Sequence, residues 1–289
     1  MLAAFSSLRQ HQHNGQRSPH KPLLALLALG RMAATGASDV PWAVAEEELA
    51  DLIAEFGPAS NTGRAQSAAY PFTRLRTDHI WTLDADVDND RVSPLRAGVT
   101  GRFEASLEQR LREQPALIET VARSLVDSHF PPTVAGDVLV AVGFDPEVPP
   151  QASPSPAARK RSQAWRAAVL QAWDEQCAFC GFDGRSGGTA IGVEAAHVRW
   201  FALDGPDDLD NGLALCSLHH KLFDRGVLGL DDDLGVIVSQ RFSARTPSGR
   251  AVYDLHGRTL DPRPGTEPPA GKHVEWHRRQ VFQALPLAA

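Results

Sequence analysis

The sequence is poor in cysteine and has no surplus of positive charge. Three cysteines in 289 residues are an odd and sparse set, which argues against the disulfide framework of a small secreted domain. The net charge of −6 gives no general attraction to nucleic acid, so phosphate contacts would have to come from local basic patches. Such patches are present. Residues 1–38 hold four cations and no acid, and Arg159, Lys160, Arg161 and Arg166 form a second group.

The sequence also lacks an apolar run long enough to cross a bilayer. The stretch "HKPLLALLALGRMAATGA" has the outline of a secretory signal, but Arg31 interrupts it where a cleavage region would begin. Pro22 is tolerated in the first turn of a helix, so we predict a buried helix that starts there. The expected location is the cytoplasm, and no membrane partner is expected.

A segment rich in Pro, Ser and Ala divides the chain. It runs over residues 146–163 without apolar periodicity, which predicts a semi-extended linker. The chain is long enough to bury two cores. We therefore expect the α+β class, with a mixed α/β domain over residues 1–145 and a second domain over residues 164–289.

Periodicity predicts the main elements of both domains. The stretches "EEELADLIAEFGP", "FEASLEQRLRE", "ALIETVARSLVDSHF" and "VAGDVLVAVGF" have helical patterns. The alternation in "YPFTRLRTDHIWTL" predicts a hairpin with Pro71 in an edge strand. In the second domain we expect helices at "SQAWRAAVLQAWDEQ" and "HVEWHRRQVF", and a strand at "TAIGVEAAH". His273 and His277, on the last of these helices, lack an evident carboxylate partner and are taken as surface or packing residues.

Two ligand pairs with the same spacing indicate a structural zinc site. Cys177 and Cys180 are separated by two residues, and so are Cys216 and His219. Two such pairs a few tens of residues apart provide three thiolates and one imidazole, a tetrahedral set that suits Zn²⁺.

The residues that remain in this region carry a second pattern. His197, Asn211 and His220 stand in "EAAHVRW…DNGLALCSLHHKLFDRG", and their order and spacing resemble the HNH, or ββα-metal, nucleases, most closely the restriction-enzyme branch. The resemblance implies a DNA endonuclease. It makes His197 the general base that activates water and Asn211 the residue that pins the loop and orients this base. His220 then becomes a ligand of a catalytic divalent ion.

One position departs from that family's pattern. Many members have Asp or His just before the base as a second metal ligand, and here the residue is Ala196. Asp224 lies one helical turn after His220 and can face the same ion. Glu194 shares a strand face with residue 196 and is the other candidate. Ligands of this kind accept Mg²⁺ or Mn²⁺, and also Co²⁺ or Ni²⁺.

The first domain resembles the sulfur-binding domain of phosphorothioate-dependent, McrA-like (type IV) restriction enzymes. The stretches "RSPHKPLLALLALGRM", "FGP", "YPFTRLRTDHIWTL" and "SHFPPTVAGDVLVAVGF" carry the resemblance, over about residues 5–145. It implies that the domain binds double-stranded DNA in which sulfur replaces a non-bridging phosphate oxygen. An apolar pocket favours sulfur, because a hydrated oxygen loses its water there without compensation.

The same resemblance indicates where the domain would contact DNA. Tyr70 and Pro71 would line the sulfur pocket. Basic groups around it would hold neighbouring phosphates, and the loop "RAGVTGRF" would add a further contact. The basic candidates around the pocket are Arg17, His20, Lys21 and Arg74, and those of the loop are Arg102 and Arg96.

Two other functions remain open from the sequence. The nuclease could read another mark, such as methylcytosine, which requires an aromatic base-flipping pocket with Trp42, Tyr70 and Trp81 as candidates. Alternatively, the protein is a non-catalytic, zinc-stabilised DNA-binding protein. A single HNH site cuts one strand at a time, so double-strand breaks would indicate a homodimer or two separate cleavage events.

Overall fold

The computed structural model describes Phe5, Leu8 and residues 19–58, 67–146, 162–260 and 262–288. The chain separates into two compact units, Met1–Ala158 and Arg159–Ala289, and each is considered by itself. Arg17 and most of the expected linker lie outside the described residues. Within the described residues, no helix is both long and apolar enough to cross a membrane.

The first unit is a helical assembly around a small sheet. Its elements, in chain order, are α1 His20–Thr35, β1 Val40–Pro41, α2 Trp42–Phe56 with a π-helical turn at Ala45–Leu49, α3 Ala69–Arg74 followed by a 3₁₀ turn Leu75–Asp78, β2 Trp81–Leu83, α4 Val92–Leu95, β3 Thr100–Phe103, α5 Ala105–Glu113, α6 Ala116–His129 and α7 Pro132–Ala141. The strands form one antiparallel sheet in the order β1–β3–β2.

Helix α1 lies in the interior of this unit. Most of its residues are buried, as expected of a helix that is apolar nearly all round. It begins at His20 rather than at the expected Pro22, because Pro19 already occupies the N-cap position. His20 and Lys21 therefore belong to its first turn instead of preceding it.

An aromatic cluster joins the sheet to helices α2 and α3. Trp81 and Phe72 meet edge to face with ring centroids 6.0 Å apart, and Trp81 also meets Phe103 at 5.9 Å. The Trp81 indole donates to the Phe72 carbonyl at 3.0 Å. Gly101 is required beneath this ring, because a Cβ there would lie 2.3 Å from a ring carbon. Truncating Trp81 to Ala would cost about 3–5 kcal/mol of stability.

The expected hairpin at "YPFTRLRTDHIWTL" is wrong. Residues 69–74 are helical, and only Trp81–Leu83 is a strand. Pro71 lies in the first turn of α3, where a proline fits without a lost hydrogen bond. Phe72 and Leu75, three residues apart, are both buried, so the helical period prevails over the alternating one. The stretch "RAGVTGRF" is likewise only partly a loop, because Arg102 lies on β3.

The second unit contains a ββα arrangement. Its elements, in chain order, are α8 Gln163–Ala172, β4 Arg185–Ser186, β5 Thr189–Ala190, β6 Val193–His197, two 3₁₀ turns Phe201–Leu203 and Leu209–Asn211, β7 Gly212–Cys216, α9 Ser217–Asp224, β8 Leu228–Leu230, β9 Val236–Val238, α10 Pro247–Arg250, a 3₁₀ turn Tyr253–Leu255 and α11 Gly271–Gln280. Strands β6 and β7 pair antiparallel, with Val193 opposite Cys216 and His197 opposite Gly212.

The strand expected at "TAIGVEAAH" is two strands. Gly192 has φ +75, a left-handed conformation that favours glycine, and it separates β5 from β6. Strand β5 pairs with β4 in a small separate hairpin. Strand β6 is thereby released to pair with β7.

Helix α8 covers the β6–β7 hairpin. Ser162 caps it by accepting a hydrogen bond from the Trp165 amide at 3.1 Å, which satisfies one of the helix's unpaired donors. Trp165, Val169 and Trp173 are buried in the core of the unit. Gly212 permits this approach, because a Cβ there would lie 2.5 Å from a Val169 methyl group.

Helix α11 is fixed by its buried histidines. His277 donates from Nε2 to the Phe223 carbonyl at 3.0 Å and stacks on the Phe223 ring at 3.7 Å. His273 is also buried, and Asp210 lies 3.7 Å from its Nε2, a partner that the sequence did not reveal. Both histidines are packing residues in this unit.

Candidate functional site

Asn211 ties together the loop between β6 and β7. Its side chain is fully buried. The amide oxygen accepts from the Arg199 backbone N–H at 2.8 Å, and the amide nitrogen donates to the carbonyls of Arg199 and Pro206 at 3.1 and 2.9 Å. All of these bonds go to the backbone. They hold the two ends of the loop at fixed positions beside the end of β6.

His197 is the last residue of β6 and is held by two groups that the sequence reading missed. Its Nε2 lies 2.9 Å from Oδ1 of Asp207. Its ring stacks on Trp165, with centroids 3.7 Å apart and planes 14° apart. The ring is 7% exposed. A neutral imidazole that donates to the carboxylate from Nε2 has its lone pair on Nδ1, so Asp207 selects both the tautomer and the orientation.

His220 lies between two carboxylates. Its Nδ1 is 2.7 Å from Oε2 of Glu194, and its Nε2 is 3.2 Å from Oδ2 of Asp224. Each carboxylate is itself fixed by a donor: Glu194 accepts from the Ser217 hydroxyl at 2.8 Å, and Asp224 accepts from the Trp200 indole at 2.9 Å. The structure thus brings together His220 and both of the acids proposed to replace the ligand missing at position 196.

The surroundings of His220 favour its positively charged form, and those of Glu194 favour the negatively charged carboxylate. Burial disfavours the charged form of His220, but the negative charge of Asp224 and the hydrogen bonds to Asp224 and Glu194 outweigh it and raise the pKa of His220 to about 9. The hydrogen bond from His220 holds the pKa of Glu194 below its ordinary value, despite the partial burial of the carboxyl. Without a metal ion, the imidazole therefore carries a proton at neutral pH.

The spacing around His220 fits a divalent ion at Nε2. Two ligands on adjacent vertices of an octahedral Mg²⁺ site lie about 3.0 Å apart, close to the 3.2 Å between His220 and Asp224. Glu194 contacts the other ring nitrogen. That is the position of a carboxylate that orients a metal-binding histidine rather than one that ligates the ion.

Ala196 and Glu194 share one face of β6, because side chains alternate along a strand. Ala196 is completely buried, so it contributes packing and no ligand. His197 leaves the opposite face, toward Trp165 on α8.

The four expected zinc ligands form one cluster. One ligand atom from each of Cys177, Cys180, Cys216 and His219 lies within 4.8 Å of the others. The 3.4 Å between Sγ of Cys177 and Nδ1 of His219 matches the edge of about 3.5 Å that tetrahedral Zn–S and Zn–N bonds produce. The set therefore fits a zinc ion.

Hydrogen bonds among the ligands distribute the charge of this cluster. Contacts with Cys180 and Cys216 lower the pKa of the Cys177 thiol, and the contacts of Cys180 with Cys177 and Cys216 raise the pKa of the Cys180 thiol. Burial disfavours charge on His219, but hydrogen bonds to Cys177 and Cys216 raise its pKa to about 9. Nδ1 is the nitrogen that faces the sulfurs.

In the first unit, three of the candidate DNA-contacting residues lie together. Tyr70 packs edge-on against His20, with centroids 6.4 Å apart. The guanidinium of Arg74 lies over the Tyr70 ring, 5.2 Å from its centroid. Pro71 is buried, which leaves the half-buried Tyr70 as the more accessible apolar face of the pair.

Each of the candidate lysine and arginine contacts within the described residues forms an ion pair. The pairs are Lys21 with Asp78, Arg74 with Asp90, Arg96 with Glu46 and Arg102 with Asp39. The Lys21 pair is buried, with side chains 6% and 3% exposed, so Lys21 serves the packing of α1 in the free protein. The other three pairs lie at the surface. Arg17 lies outside the described residues.

Three residues of the nuclease region escaped the sequence reading: Asp207, Trp165 and Trp200. Asp207 stands in an acidic stretch, "DGPDDLDN", where nothing marks one carboxylate over its neighbours. The two tryptophans read as ordinary apolar residues. Their indole N–H groups are a signal that could have been used, because a buried Trp needs a hydrogen-bond acceptor. Trp165 donates to the Asp208 carbonyl, and Trp200 donates to Asp224.

Comparison with known proteins yields two family matches. Residues 1–147 match the model of the ScoMcrA-like DNA sulfur-binding domain, and residues 177–231 match the HNH endonuclease model. No curated protein matches the chain. The second match spans the zinc cluster, His197, Asn211 and His220.

Solved structures resemble the chain more distantly. The sulfur-binding domain of ScoMcrA complexed with phosphorothioated DNA is 19% identical, with 50% of this chain and 95% of that chain covered and a TM-score of 0.40. The type IV phosphorothioation-dependent restriction endonuclease ScoMcrA is 18% identical, with 68% of this chain and 42% of that chain covered and a TM-score of 0.42. The modification-dependent restriction endonuclease TagI is 25% identical over 48% and 41%, with a TM-score of 0.33. The family of this chain is therefore taken from the two family matches and not from these structures.

Proposed function

The chain belongs to the family defined by the ScoMcrA-like DNA sulfur-binding domain, and we propose that it is a modification-dependent restriction endonuclease. It binds phosphorothioate-modified double-stranded DNA with its first unit and hydrolyses nearby phosphodiesters with its HNH unit. The observation that carries this proposal is the presence of both families in one chain, one over residues 1–147 and the other over residues 177–231. The pairing supplies recognition and cleavage together.

His197 is the proposed general base. It stands at the end of β6, and Asp207 holds its Nε2 at 2.9 Å. The proton of an attacking water would then go to Nδ1. Asp207 stabilises the imidazolium that results, since a carboxylate at hydrogen-bond distance favours the charged ring. Asn211 supports this arrangement by fixing both ends of the adjoining loop.

His220 and Asp224 would hold the catalytic divalent ion, and Glu194 would orient His220 from its other nitrogen. Bound there, a divalent ion neutralises charge on the scissile phosphate and on the leaving oxygen. An imidazole with a carboxylate accepts Mg²⁺ or Mn²⁺, and Co²⁺ or Ni²⁺ as well. Cys177, Cys180, Cys216 and His219 would hold the structural Zn²⁺.

Sulfur recognition is assigned to the surface around Tyr70, beside His20 and Arg74. Two observations favour this mark over methylcytosine. The family match is to a sulfur-binding domain, and two of the three aromatics considered for a base-flipping pocket, Trp42 and Trp81, are buried at 3% and 2% exposure. Buried indoles of this kind cannot stack on an extruded base.

Partner and location follow from the same proposal. Double-strand cleavage by a single HNH site requires two copies or two cleavage events, so a homodimer on DNA is part of the proposal. An enzyme that acts on DNA and keeps three thiols for metal belongs in a reducing compartment, which supports the cytoplasm.

The test uses two duplexes of identical sequence, one carrying a phosphorothioate. Each is incubated with the protein and Mg²⁺, Mn²⁺, Co²⁺ or Ni²⁺ in turn, with the His197→Ala variant in parallel. We expect cleavage near the sulfur only, reduced about 10²- to 10⁴-fold in the variant while DNA binding is kept. Equal cleavage of both duplexes would refute sulfur recognition. Binding without cleavage in all four metals would refute the nuclease.

A further inference from the structure

The acidic loop before α4 is built against helix α3. Arg76 donates from Nη2 to the Val87 carbonyl at 2.8 Å and to the Asn89 side chain at 3.0 Å. The Asp90 amide donates to the buried Thr73 hydroxyl at 3.1 Å. These bonds fix the end of the loop independently of the Asp90 carboxylate.

Asp90 is thereby presented to Arg74. Its backbone has φ +64, a left-handed conformation that Asp and Asn tolerate better than other side chains. Both carboxylate oxygens accept from the guanidinium: Nε lies 2.9 and 3.0 Å from them, and Nη2 lies 2.5 Å from Oδ2. The pair is about 40% exposed on both sides, so it stands at the surface where DNA would arrive.

The position of Arg74 makes this pairing relevant to recognition. Its guanidinium lies over the Tyr70 ring, beside the proposed sulfur pocket. An apolar pocket discriminates because an ordinary phosphate oxygen finds no replacement for its lost water. A free guanidinium next to the pocket would supply that replacement, since Arg N–H groups bond phosphate oxygen strongly. Sulfur is a poorer acceptor and would gain less.

We propose that Asp90 is a specificity-determining residue that occupies the Nε–Nη2 edge of the Arg74 guanidinium and so denies this edge to the oxygen of unmodified phosphate. It acts through Arg74 and does not itself bind the mark. It selects against the unmodified competitor rather than for the substrate. This inference rests on the proposed function, and it names the residue that keeps ordinary DNA out of the same site.

The test measures dissociation constants for the matched duplexes, with and without phosphorothioate, using the whole chain with its zinc retained and with no Mg²⁺ or Mn²⁺ added. Asp90→Asn keeps the loop, because the backbone bond to Thr73 and the left-handed conformation are retained. We expect affinity for unmodified DNA to rise about three- to tenfold and affinity for modified DNA to change less. The preference for sulfur therefore falls.

Two further variants separate this role from a general charge effect. Glu119→Gln is the matched control, because it also removes one acid paired with an arginine, Arg123, which is not a candidate DNA contact. It should leave the preference unchanged. The double variant Asp90→Asn with Arg74→Gln should restore a preference close to that of Arg74→Gln alone, since the effect passes through Arg74.

The outcomes are distinct. If the wild type prefers the modified duplex and Asp90→Asn leaves the preference unchanged, the inference is overturned while sulfur recognition stands. An equal loss of preference in Glu119→Gln would also overturn it, because the loss of any one negative charge would then explain the result. If the wild type shows no preference, the proposed function fails and the inference fails with it.

Discussion

Asp207 accepts a hydrogen bond from Nε2 of His197, and the indole of Trp165 stacks on the same ring. The Asp207 carboxylate fixes the direction in which Nε2 points, and the stacked Trp165 indole fixes the plane of the imidazole ring. Asp207 also lies 3.3 Å from the Ser162 amide, which joins the loop between β6 and β7 to the start of α8. As the proposed base, His197 would need little rearrangement before it takes a proton.

Asp207→Asn should lower the rate of phosphodiester cleavage about 10- to 100-fold, because the amide cannot stabilise the imidazolium. Binding of modified DNA should be unchanged. Single-turnover cleavage and equilibrium binding measure the two effects. Asp208→Asn is the control, since Asp208 is exposed and only its backbone carbonyl is used. Equal rates in both variants would remove Asp207 from the mechanism.

Asp224→Asn should lower cleavage at least about 100-fold, because it removes the carboxylate that faces Nε2 of His220. Glu194→Gln should have a smaller effect, since its side chain can still accept from Nδ1 of a correctly oriented ring. Cleavage measured against Mn²⁺ concentration distinguishes them, because a lost ligand raises the metal requirement. Zinc content should stay constant in both variants. A larger effect at Glu194 would reverse the two assignments.

Removal of zinc should unfold the second unit. Binding of structural zinc contributes about 10–16 kcal/mol in small zinc domains, comparable to the total stability of an ordinary domain. We expect one zinc per chain by elemental analysis, and loss of the unit's cooperative thermal transition in Cys216→Ser or after strong chelation. Restoring the transition by adding Zn²⁺ to chelated wild type is the control. A transition that survives in metal-free protein would contradict a structural role.

The stability of the second unit should fall on mild acidification because of His277. Complete burial lowers the pKa of His277 from 6.5 to about 4. The unfolded chain therefore takes up a proton at a higher pH than the folded one. The stabilising effect of the neutral ring is fully present above pH 6.5 and is lost as the pH falls toward 4.

The expected loss from this group is about 2 kcal/mol between about pH 7 and about pH 5. His277→Gln keeps a donor toward the Phe223 carbonyl and cannot titrate, so its stability should vary less over that range. Denaturant unfolding of both proteins at matched zinc measures the difference, and the zinc cluster, common to both, cancels. Parallel pH dependences would show that His277 does not carry the effect.

The spacing of residues along the sequence predicted most of the candidate metal ligands of the second unit. It predicted few of the side-chain contacts of the first unit. Cys177 with Cys180, and His220 with Asp224, are neighbours within one turn, so a count along the sequence finds them. Trp165 and His197 are 32 positions apart, and only the packing of α8 on β6 brings them together. The partner of Arg74 is equally hidden, because Asp90 reaches it through a loop that Thr73 and Arg76 hold in place.

The incorrect prediction of a hairpin at "YPFTRLRTDHIWTL" has a different cause. In "YPFTRL", Tyr70 and Phe72 fit an alternating pattern, while Phe72 and Leu75 fit a helical one, and six residues are too few to separate the two periods. Burial of Phe72 against Trp42 and Trp81 decides between them. That contact depends on the sheet, which the local pattern does not contain.

All three cysteines of the chain belong to the cluster that fits zinc. With zinc bound, no thiolate is left over for alkylation. A cysteine introduced anywhere else would be the one site for a fluorophore or spin label, without any prior removal of native thiols. Conversely, thiol reagents that react with the unaltered protein would directly report the fraction of molecules that have lost their metal.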